Sequence, residues 1–316
     1  MPVFTVITPV YNGGEFIKDT VDSVLKALKN FSYEYIVVDD GSTDQTADIL
    51  ESFGNSIVYL RTKNCGQAAA ISYGIKVAQG TYSLIVNADD PLFTSDLFAD
   101  SKRILDEEPG VVATYPNWQI IDIEGNIVSS VEVKDFSLEE LVGNFNCLIG
   151  PGGVFRTQVA KSLGGWDSSY KYVPDYDFWL RMVDFGEFRH VPKTQAFWRQ
   201  HDTSISIKSR GKSMAKERVR VISEYISRHP KIPRQLRNRA IANSYFRASM
   251  LSFFDRSVRG KYLLVKSLIH RPQFFYEKDI RVILYIICLP FSFVFKERFR
   301  SVSSNAEKLA RKIRSS

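Results

Sequence analysis

Two pairs of aspartates each follow a short apolar segment of this chain. The pair Asp39–Asp40 follows the segment 35–38, and the pair Asp89–Asp90 lies just beyond the segment 82–86. Short β-branched segments are typical of buried parallel strands, whose carboxyl ends face the ligand crevice of an α/β sheet. Four carboxylates at one edge repel one another unless a cation or a hydrogen-bonding ligand joins them. The first hypothesis is therefore a site for a metal ion and a polar ligand.

Alternating strands and helices in the first part of the chain would bring these acids together. The predicted strands are 4–10, 35–38, 57–61 and 82–86, and the predicted helices are 15–29, 42–53 and 67–78. Strands separated by helices of this length form right-handed βαβ units. The predicted class is therefore α/β, with a mostly parallel sheet.

The remainder of the chain is less regular and ends in helices. Strands are predicted at 111–121 and 127–133, and helices at 137–145, 158–163, 176–185, 214–228, 233–254, 258–269 and 279–295. The apolar stretch 282–295 is shorter than the roughly 20 residues that span a bilayer. With basic residues on both sides, it suits either an interfacial or re-entrant membrane segment or a buried core helix, and the sequence leaves both open.

The charge divides the 316 residues into two parts. Residues 1–207 contain 16 basic and 28 acidic residues, a net charge of −12, whereas residues 208–316 contain 26 and 7, a net charge of +19. We therefore expect an acidic domain at 1–207 and a basic helical domain at 208–316. A basic domain can face anionic lipid, nucleic acid or an acidic partner, and composition alone does not choose among them.

The cysteines and the first residues of the chain bear on the cellular compartment. The three cysteines are far apart and form no metal or redox spacing, which favours a reducing compartment. The first residues lead directly into a strand, so no signal peptide is expected. The expected location is cytoplasmic, free or on the inner face of the membrane.

Five segments between residues 1 and 207 carry a specific pattern. In chain order they read VITPVYN from residue 6, VDDGSTD from 38, NCGQAAAISYG from 64, NADD from 87, and GGWD from 164 with PDYDFWLR from 174. Together they resemble family-2 glycosyltransferases, which are inverting, use nucleotide sugars and have the Rossmann-like GT-A fold. The resemblance implies transfer from a nucleotide-diphospho-sugar, a UDP-sugar in the first instance, to a saccharide or lipid-linked hydroxyl. Cell-envelope polysaccharide or glycan biosynthesis is the expected setting.

The resemblance also implies which residues contact the nucleotide. Asp39 and Asp40 are candidates for the imide of uracil, because a carboxylate accepts a hydrogen bond from an N–H group. Arg199, in the segment Phe197–His201, is a candidate for a phosphate. The other residues expected at the nucleotide are Thr8, Pro9, Tyr11, Asn64, Gly66, Asn87 and Ala88.

A divalent metal is implied by the NADD segment, which resembles the family's DxD element. Asp89, with Asp90 as second choice, is expected to bind Mg²⁺ or Mn²⁺, because hard cations prefer oxygen ligands. His201 could complete the metal site or be structural. The alternative for the two acids is a helix cap.

The catalytic base implied by the family is Asp175, which would take the proton from the acceptor hydroxyl. Asp177 could instead fix the start of the helix, as could Asp175 itself. Trp166 and Asp167 are expected on the acceptor side.

The segments depart from the family pattern at three positions. Ser72 stands where asparagine is common, Asn87 replaces the first acid of the DxD element, and Pro174 replaces a glutamate. The departure at Ser72 weakens the resemblance of that segment to the family pattern without removing it.

Two other functions are considered. A nucleotidyltransferase also uses acidic strand ends, but it needs a basic glycine-rich loop, and here no basic residue precedes Lys18. A nucleic-acid-binding module would use the basic helices, but they lack a recognisable stacking motif and the acidic half would repel phosphate. No nucleic-acid partner is expected, whereas an anionic membrane surface is a candidate partner.

Overall fold

The computed structural model describes residues 1–91, 94–201, 212–254 and 258–271. Within these residues there are two compact units: residues 1–137 and 147–201 form one, which we call the sheet unit, and residues 138–146 and 212–271 form the other, the helical unit. The segment 138–146 thus belongs to the helical unit although sheet-unit residues flank it. The predicted helix at 279–295 lies outside the described residues.

The described part of the sheet unit contains eight strands and six α-helices, with short 3-10 helices at Gly54–Ser56 and Val183–Phe185. The strands are β1 (Phe4–Val10), β2 (Tyr33–Asp39), β3 (Val58–Arg61), β4 (Tyr82–Ile85), β5 (Val111–Ile121), β6 (Ile127–Val131), β7 (Val154–Arg156) and β8 (Glu187–Arg199). The helices are α1 (Ile17–Leu28), α2 (Thr46–Glu51), α3 (Gln67–Val77), α4 (Asp96–Glu107), α5 (Thr157–Ser162) and α6 (Pro174–Met182).

The first four strands form the parallel half of the sheet, in the order β3-β2-β1-β4. Val10 pairs with Asp39 and Ile7 pairs with Ile85, so the carboxyl ends of β1, β2 and β4 meet at one edge. Beyond them the sheet is mixed: β7 is antiparallel to β4 and β5, β6 is antiparallel to β5, and β8 is parallel to β5. The α/β class is confirmed, and its parallel part carries both aspartate pairs.

Packing brings helix α3 unusually close to the sheet. A Cβ atom at Gly74 would lie 2.5 Å from Ile7 Cγ2, so glycine is needed at this contact. On the other face of the sheet, α1 buries a stripe of Ile17, Val21 and Val24. The close approach of α3 carries its first turn to the edge where the strands end, where Gln67 Nε2 donates to Asn87 Oδ1 at 3.0 Å.

The helical unit consists of α7 (Lys212–Arg228), α8 (Arg234–Phe254), α9 (Val258–His270) and a π-helical turn, Glu139–Gly143. Asn243 Nδ2 donates to the Gly143 carbonyl at 2.7 Å, and Ser267 Oγ donates to the Ala242 carbonyl at 2.8 Å. These buried bonds tie the turn and α9 to α8. Within the described ranges, no helix has the length and apolar character needed to cross a bilayer.

Several elements differ from those predicted. The segment 137–145 contains a π-helical turn instead of a regular helix. Helix α4 and strands β7 and β8 were not predicted from the sequence. Strand β8 matters most for the site, because it ends at Arg199, two residues before His201.

Candidate active site

The turns after β1 and β2 are locked together at the carboxyl edge. Thr43 N donates to Asn12 Oδ1 at 2.8 Å, and Asn12 N donates to Ser42 Oγ at 2.9 Å. Gly13 N donates to Thr46 Oγ1 at 2.9 Å. Asn12 has a φ of 50°, a left-handed conformation that asparagine tolerates better than most residues. The backbone at this edge is therefore held in place by side chains from the neighbouring loop.

Asp39 ends β2 and is completely buried. Its Oδ1 accepts a hydrogen bond from Ser42 N at 2.7 Å, and its Oδ2 accepts one from the Tyr59 hydroxyl at 3.0 Å. Arg61 Nε lies 3.6 Å from Oδ2. The carboxylate therefore holds the 39–42 turn against β3, and contact with a nucleobase stays a prediction.

Asp40 organises the loop that leads into α3. Its Oδ1 accepts from Cys65 N at 2.8 Å, and its Oδ2 accepts from Gly66 N at 2.7 Å. Gly66 has a φ of 91°, which glycine adopts without strain. The exposed residue Asn64 lies in the same loop. The structure thus brings Asp40, Asn64 and Gly66 together, with Asp40 in a supporting position, and their contact with a nucleotide stays a prediction.

The three predicted nucleotide residues of β1 and its turn face different surroundings. The Thr8 hydroxyl pairs with the Tyr35 hydroxyl at 2.9 Å inside the core, and Pro9 is buried. Tyr11 is 52% exposed. Of the three, Tyr11 offers a ring surface to a ligand, whereas Thr8 supports the sheet.

Asn87 is hydrogen-bonded to the buried Asp90 in the loop after β4. Asn87 Nδ2 donates to Asp90 Oδ2 at 2.9 Å, and Arg199 N donates to Asp90 Oδ1 at 2.8 Å. Burial, together with the charge of Asp89, raises the pKa of Asp90 to about 8. An amide suits position 87 because it donates to Asp90, whereas a carboxylate there would repel it. Both Asp90 oxygens therefore accept hydrogen bonds within the protein, and metal binding by Asp90 stays a prediction.

Asp89 is partly exposed and contacts His201. Its side chain is 31% exposed, and its Oδ2 lies 2.8 Å from His201 Nε2. The His201 ring packs on Phe16, with ring centroids 5.1 Å apart. Ala88 lies between Asn87 and Asp89 in the chain, and its carbonyl accepts a hydrogen bond from Thr20 Oγ1 at 2.9 Å. Two residues that are 112 positions apart in the sequence thus share one site at the strand ends.

Arg199 braces this pair from inside the protein. Its Nε donates to the Asp89 carbonyl at 3.0 Å, and its Nη1 donates to the Ile123 carbonyl at 2.7 Å. Its guanidinium lies 5.0 Å from the centre of the Phe16 ring, a cation–π distance. Because the side chain is only 6% exposed, these contacts describe a support for Asp89, and phosphate binding by Arg199 stays a prediction.

The fit of a divalent metal can be judged from the donors. Across the described part of the chain, no three His, Cys, Asp or Glu side chains form a group that could hold a metal ion. Mg²⁺ at nucleotide sites uses one or two carboxylates, with phosphate oxygens and water as its other ligands. Asp89 and His201 supply one carboxylate and one imidazole, so the pair fits an ion that a diphosphate helps to hold.

The segment before α6 is fixed to α3 by Ser72. Ser72 Oγ lies 2.8 Å from the Ala68 and Trp166 carbonyls, and its hydroxyl hydrogen is shared between them. A Cβ atom at Gly165 would lie 2.8 Å from Ser72 Oγ, so the loop backbone touches the helix. This contact is a physical reason for a small residue at position 72.

Trp166 and Asp167 follow this contact. The Trp166 indole is partly buried, and its Nε1 has no hydrogen-bond partner among the described residues. Asp167 Oδ1 accepts a hydrogen bond from Ser169 N at 2.8 Å, which closes an Asx turn. A buried N–H without a partner is costly, so a ligand oxygen would be a favourable neighbour for Trp166.

Helix α6 begins with Pro174 at its first position and Asp175 at its second. Proline is well suited to that position because its missing N–H would have no partner there. Asp175 is partly exposed, and negative charge in a first turn interacts favourably with the helix dipole. Asp177 is buried and pairs with Arg181, with Nε 2.7 Å from Oδ2. Of the two aspartates, Asp175 is the accessible one.

Arg181 was not singled out from the sequence. Its Nη1 donates to the Leu163 carbonyl at 2.9 Å and its Nη2 to the Gly165 carbonyl at 2.8 Å. It therefore anchors the loop that carries Trp166 and Asp167. The i,i+4 spacing from Asp177 was a readable signal of an ion pair, but the contacts to the loop were not.

Comparison with known proteins agrees with this architecture. Residues 5–125 match the family model described as glycosyl transferase family 2. An uncharacterized glycosyltransferase of Rickettsia typhi is 31% identical over 191 residues, which cover 58% of this chain and 59% of that protein. The chain therefore spans less than two thirds of the length of this relative.

Solved structures share the fold at low identity. S. aureus TarS, residues 1–349 in complex with UDP-GlcNAc, matches with a TM-score of 0.59 and 18% identity, over 84% of this chain and 88% of that one. A mannosyltransferase from Pyrobaculum calidifontis in complex with GDP-Man and Mn²⁺ matches with a TM-score of 0.50 and 14% identity, over 94% and 88%. Residues 5–125 are thus similar in sequence to glycosyltransferase family 2, and the sheet unit has the GT-A fold.

Proposed function

We propose that the chain transfers a sugar, with inversion, from a nucleotide-diphospho-sugar to a hydroxyl of a saccharide or lipid-linked acceptor. The observation that carries the proposal is the partly exposed Asp89, paired with His201 where β1, β2 and β4 end. Ligands of α/β sheets bind at this edge. The two solved structures are complexes with UDP-GlcNAc and GDP-Man, which supports a nucleotide-sugar donor.

The donor end of the site has separate functions for its two acid pairs. Asp89 and His201 would hold Mg²⁺ or Mn²⁺ on the donor diphosphate. The solved mannosyltransferase structure is a complex that includes Mn²⁺. When bound, the ion neutralises charge on the leaving diphosphate. Asp90 and Arg199 keep Asp89 in position. Asp39 and Asp40 hold the loops around the base, for which we propose uracil, with Tyr11 as a stacking surface.

The chemical step needs a base near the acceptor hydroxyl, and we propose Asp175. The hydroxyl oxygen attacks the anomeric carbon, its proton passes to Asp175, and the bond from the anomeric carbon to the diphosphate oxygen breaks with inversion. Trp166 and Asp167, on the loop that Arg181 anchors, would orient the acceptor. Holding both substrates in line supplies much of the rate.

The biological setting proposed is assembly of cell-envelope polysaccharide or another glycan, with the protein at the inner membrane surface. The support for a membrane setting is the +19 net charge of residues 208–316. An anionic surface would concentrate such a domain near lipid-linked acceptors.

The test is release of nucleoside diphosphate from a panel of nucleotide sugars with Mn²⁺ or Mg²⁺, with and without saccharide acceptors. We expect turnover with one UDP-sugar, and loss of turnover in Asp175→Asn with UDP affinity near that of the unmodified protein. Turnover by Asp175→Asn at the normal rate would remove Asp175 as the base. Salt-sensitive nucleic-acid binding with no turnover on any nucleotide sugar would instead favour the binding-module function.

A further inference from the structure

Helix α9 has apolar residues on two opposite faces. Its inner face is buried in the helical unit and consists of Gly260, Leu263, Leu264 and Ser267. A second row is exposed to solvent: Tyr262 is 57% exposed, Val265 53% and Ile269 70%. We call these three residues the outer stripe.

The outer stripe is continuous along the helix. Its members are separated by three and four residues, which places them above one another on one side. At roughly 100° per residue, their mean direction is about opposite to that of the buried face. A helix that is apolar on both sides lacks the polar face expected against water, so the outer stripe calls for an apolar environment.

Helix α4 of the same chain shows the ordinary pattern. It buries Leu97, Phe98, Ile104 and Leu105. Its exposed side carries the i,i+4 pairs Lys102–Asp106 and Arg103–Glu107. Isolated exposed apolar residues need no explanation, but a row on one helix face marks an interaction surface.

Positive charge flanks the outer stripe on both sides. By helix geometry Lys261 lies on one flank and Lys266 on the other. Lys266 Nζ lies 4.9 Å from the centre of the Tyr262 ring. Neither α8 nor α9 contains an aspartate or a glutamate. The surface is thus apolar in the middle, basic at its borders and free of acidic residues along both helices.

We propose that the outer stripe of α9, with Lys261 and Lys266 beside it, docks onto the surface of an anionic lipid bilayer. The helix lies in the membrane plane, with Val265 and Ile269 among the upper acyl carbons. The two lysines reach the lipid phosphates, and Tyr262 sits where an aromatic ring with a polar tip is favoured. Its 13 residues, about 20 Å long, are too few to cross.

The charge pattern favours a lipid surface over a protein as the binding partner of the outer stripe. Basic residues on both borders of an apolar row match a sheet of anionic headgroups, and each contributes about fivefold in binding near such a surface. This surface is independent of the 279–295 segment, which lies outside the described residues, and it is also independent of the proposed reaction.

The test places an environment-sensitive fluorophore on the outer stripe of the full chain. Cys65, Cys147 and Cys288 are replaced by serine, and the label is attached to Val265→Cys or, as a matched control, to Val128→Cys. Val128 is 62% exposed on β6 of the sheet unit. With vesicles of phosphatidylglycerol and phosphatidylcholine, we expect a blue shift at 265, quenched by lipid-borne quenchers, and no shift at 128.

Two results would overturn the proposal. One is binding to the vesicles without a change at 265, which would assign the contact to another segment. The other is emission at 265 that is already blue-shifted without vesicles and unchanged by them, which would mean that a part of the protein covers the stripe.

Sedimentation with the same vesicles gives the affinity. Val265→Ser with Ile269→Ser should weaken binding about tenfold or more, whereas Ile127→Ser with Val128→Ser should leave it unchanged. Equal binding by both double variants would contradict the proposal. Vesicles of phosphatidylcholine alone should bind the unmodified protein at least about tenfold more weakly, and equal binding would remove the role of the lysines.

Discussion

Replacing Arg181 by alanine should destabilise the sheet unit far more than an ordinary surface substitution. The Arg181 side chain is 16% exposed and Asp177 only 3%. Besides that ion pair, Arg181 donates to the carbonyls of Leu163 and Gly165. The alanine variant removes the guanidinium from a buried carboxylate and the Arg181 donors from two carbonyls.

The expected loss follows from burial. Breaking a buried pair by removing one partner costs about 3–5 kcal/mol, because the remaining charge stays desolvated. Arg103 offers a matched control, since it pairs with Glu107 at the same i,i+4 spacing but the two side chains are 58% and 63% exposed. An exposed helix pair contributes about 0.3–0.5 kcal/mol. Arg181→Ala should thus cost several times more than Arg103→Ala.

Urea unfolding followed by tryptophan fluorescence measures both. All four tryptophans lie in the sheet unit, at positions 118, 166, 179 and 198. Arg181→Lys should fall between, because one ammonium cannot reach the carboxylate and both carbonyls. Arg181→Lys should also raise the KM for the acceptor more than the KM for the donor, because the loop that carries Trp166 is held less firmly. If Arg181→Ala lowers the free energy of unfolding no more than Arg103→Ala does, the contacts of Arg181 do not stabilise the sheet unit as expected.

Two further predictions concern the same unit. Gly165→Ala should destabilise more than Gly164→Ala in thermal unfolding, because both have φ above 70° but only the Cβ at 165 would approach Ser72; equal losses would show that crowding is irrelevant. Burial and a hydrogen bond to a carboxylate raise the pKa of Tyr59 to about 12, so its stabilising effect is complete below about pH 10 and is lost as the pH rises toward 12. Tyr59→Phe should remove one late-titrating group from the tyrosinate absorbance curve, and an unchanged curve would contradict this.

The parallel half of the sheet was readable from the sequence because its central strands are buried. Every residue of β1 is buried, and such strands appear as continuous apolar runs. Helix α4 was missed because its buried face contains Ser101, which accepts a hydrogen bond from Thr114 Oγ1 at 2.8 Å in the core. A polar residue whose partner is distant in sequence interrupts the apolar pattern.

Strand β8 was missed for a related reason. It contains charged residues and Pro192, which argue against a strand in isolation. The pairing with β5 shifts register around Pro192: Val191 pairs with Pro116 and Thr194 with Asn117. A bulge therefore accommodates the proline, and nothing local in the sequence indicates it.

At the site, the sequence motifs predicted which residues would lie near one another, but they did not predict the role of each residue. Asp89 and His201 were both proposed as metal ligands, and the structure places them in contact. Asp40 and Asp90 are aspartates like the residues that precede them. Loop N–H groups nevertheless donate to Asp40, and Arg199 N donates to Asp90. Such roles depend on long-range contacts that no local pattern reveals.

If Asp89 lies at the diphosphate site as proposed, the affinity for UDP should depend on Mn²⁺ through this residue. By calorimetry, Mn²⁺ should strengthen UDP binding to the unmodified protein. Asp89→Asn should lose this enhancement, about 10–100-fold by analogy with the loss of other metal-site partners, while metal-free affinity stays unchanged. Asp122→Asn, at an exposed turn, should behave as the unmodified protein. Full enhancement by Mn²⁺ in Asp89→Asn would contradict the account.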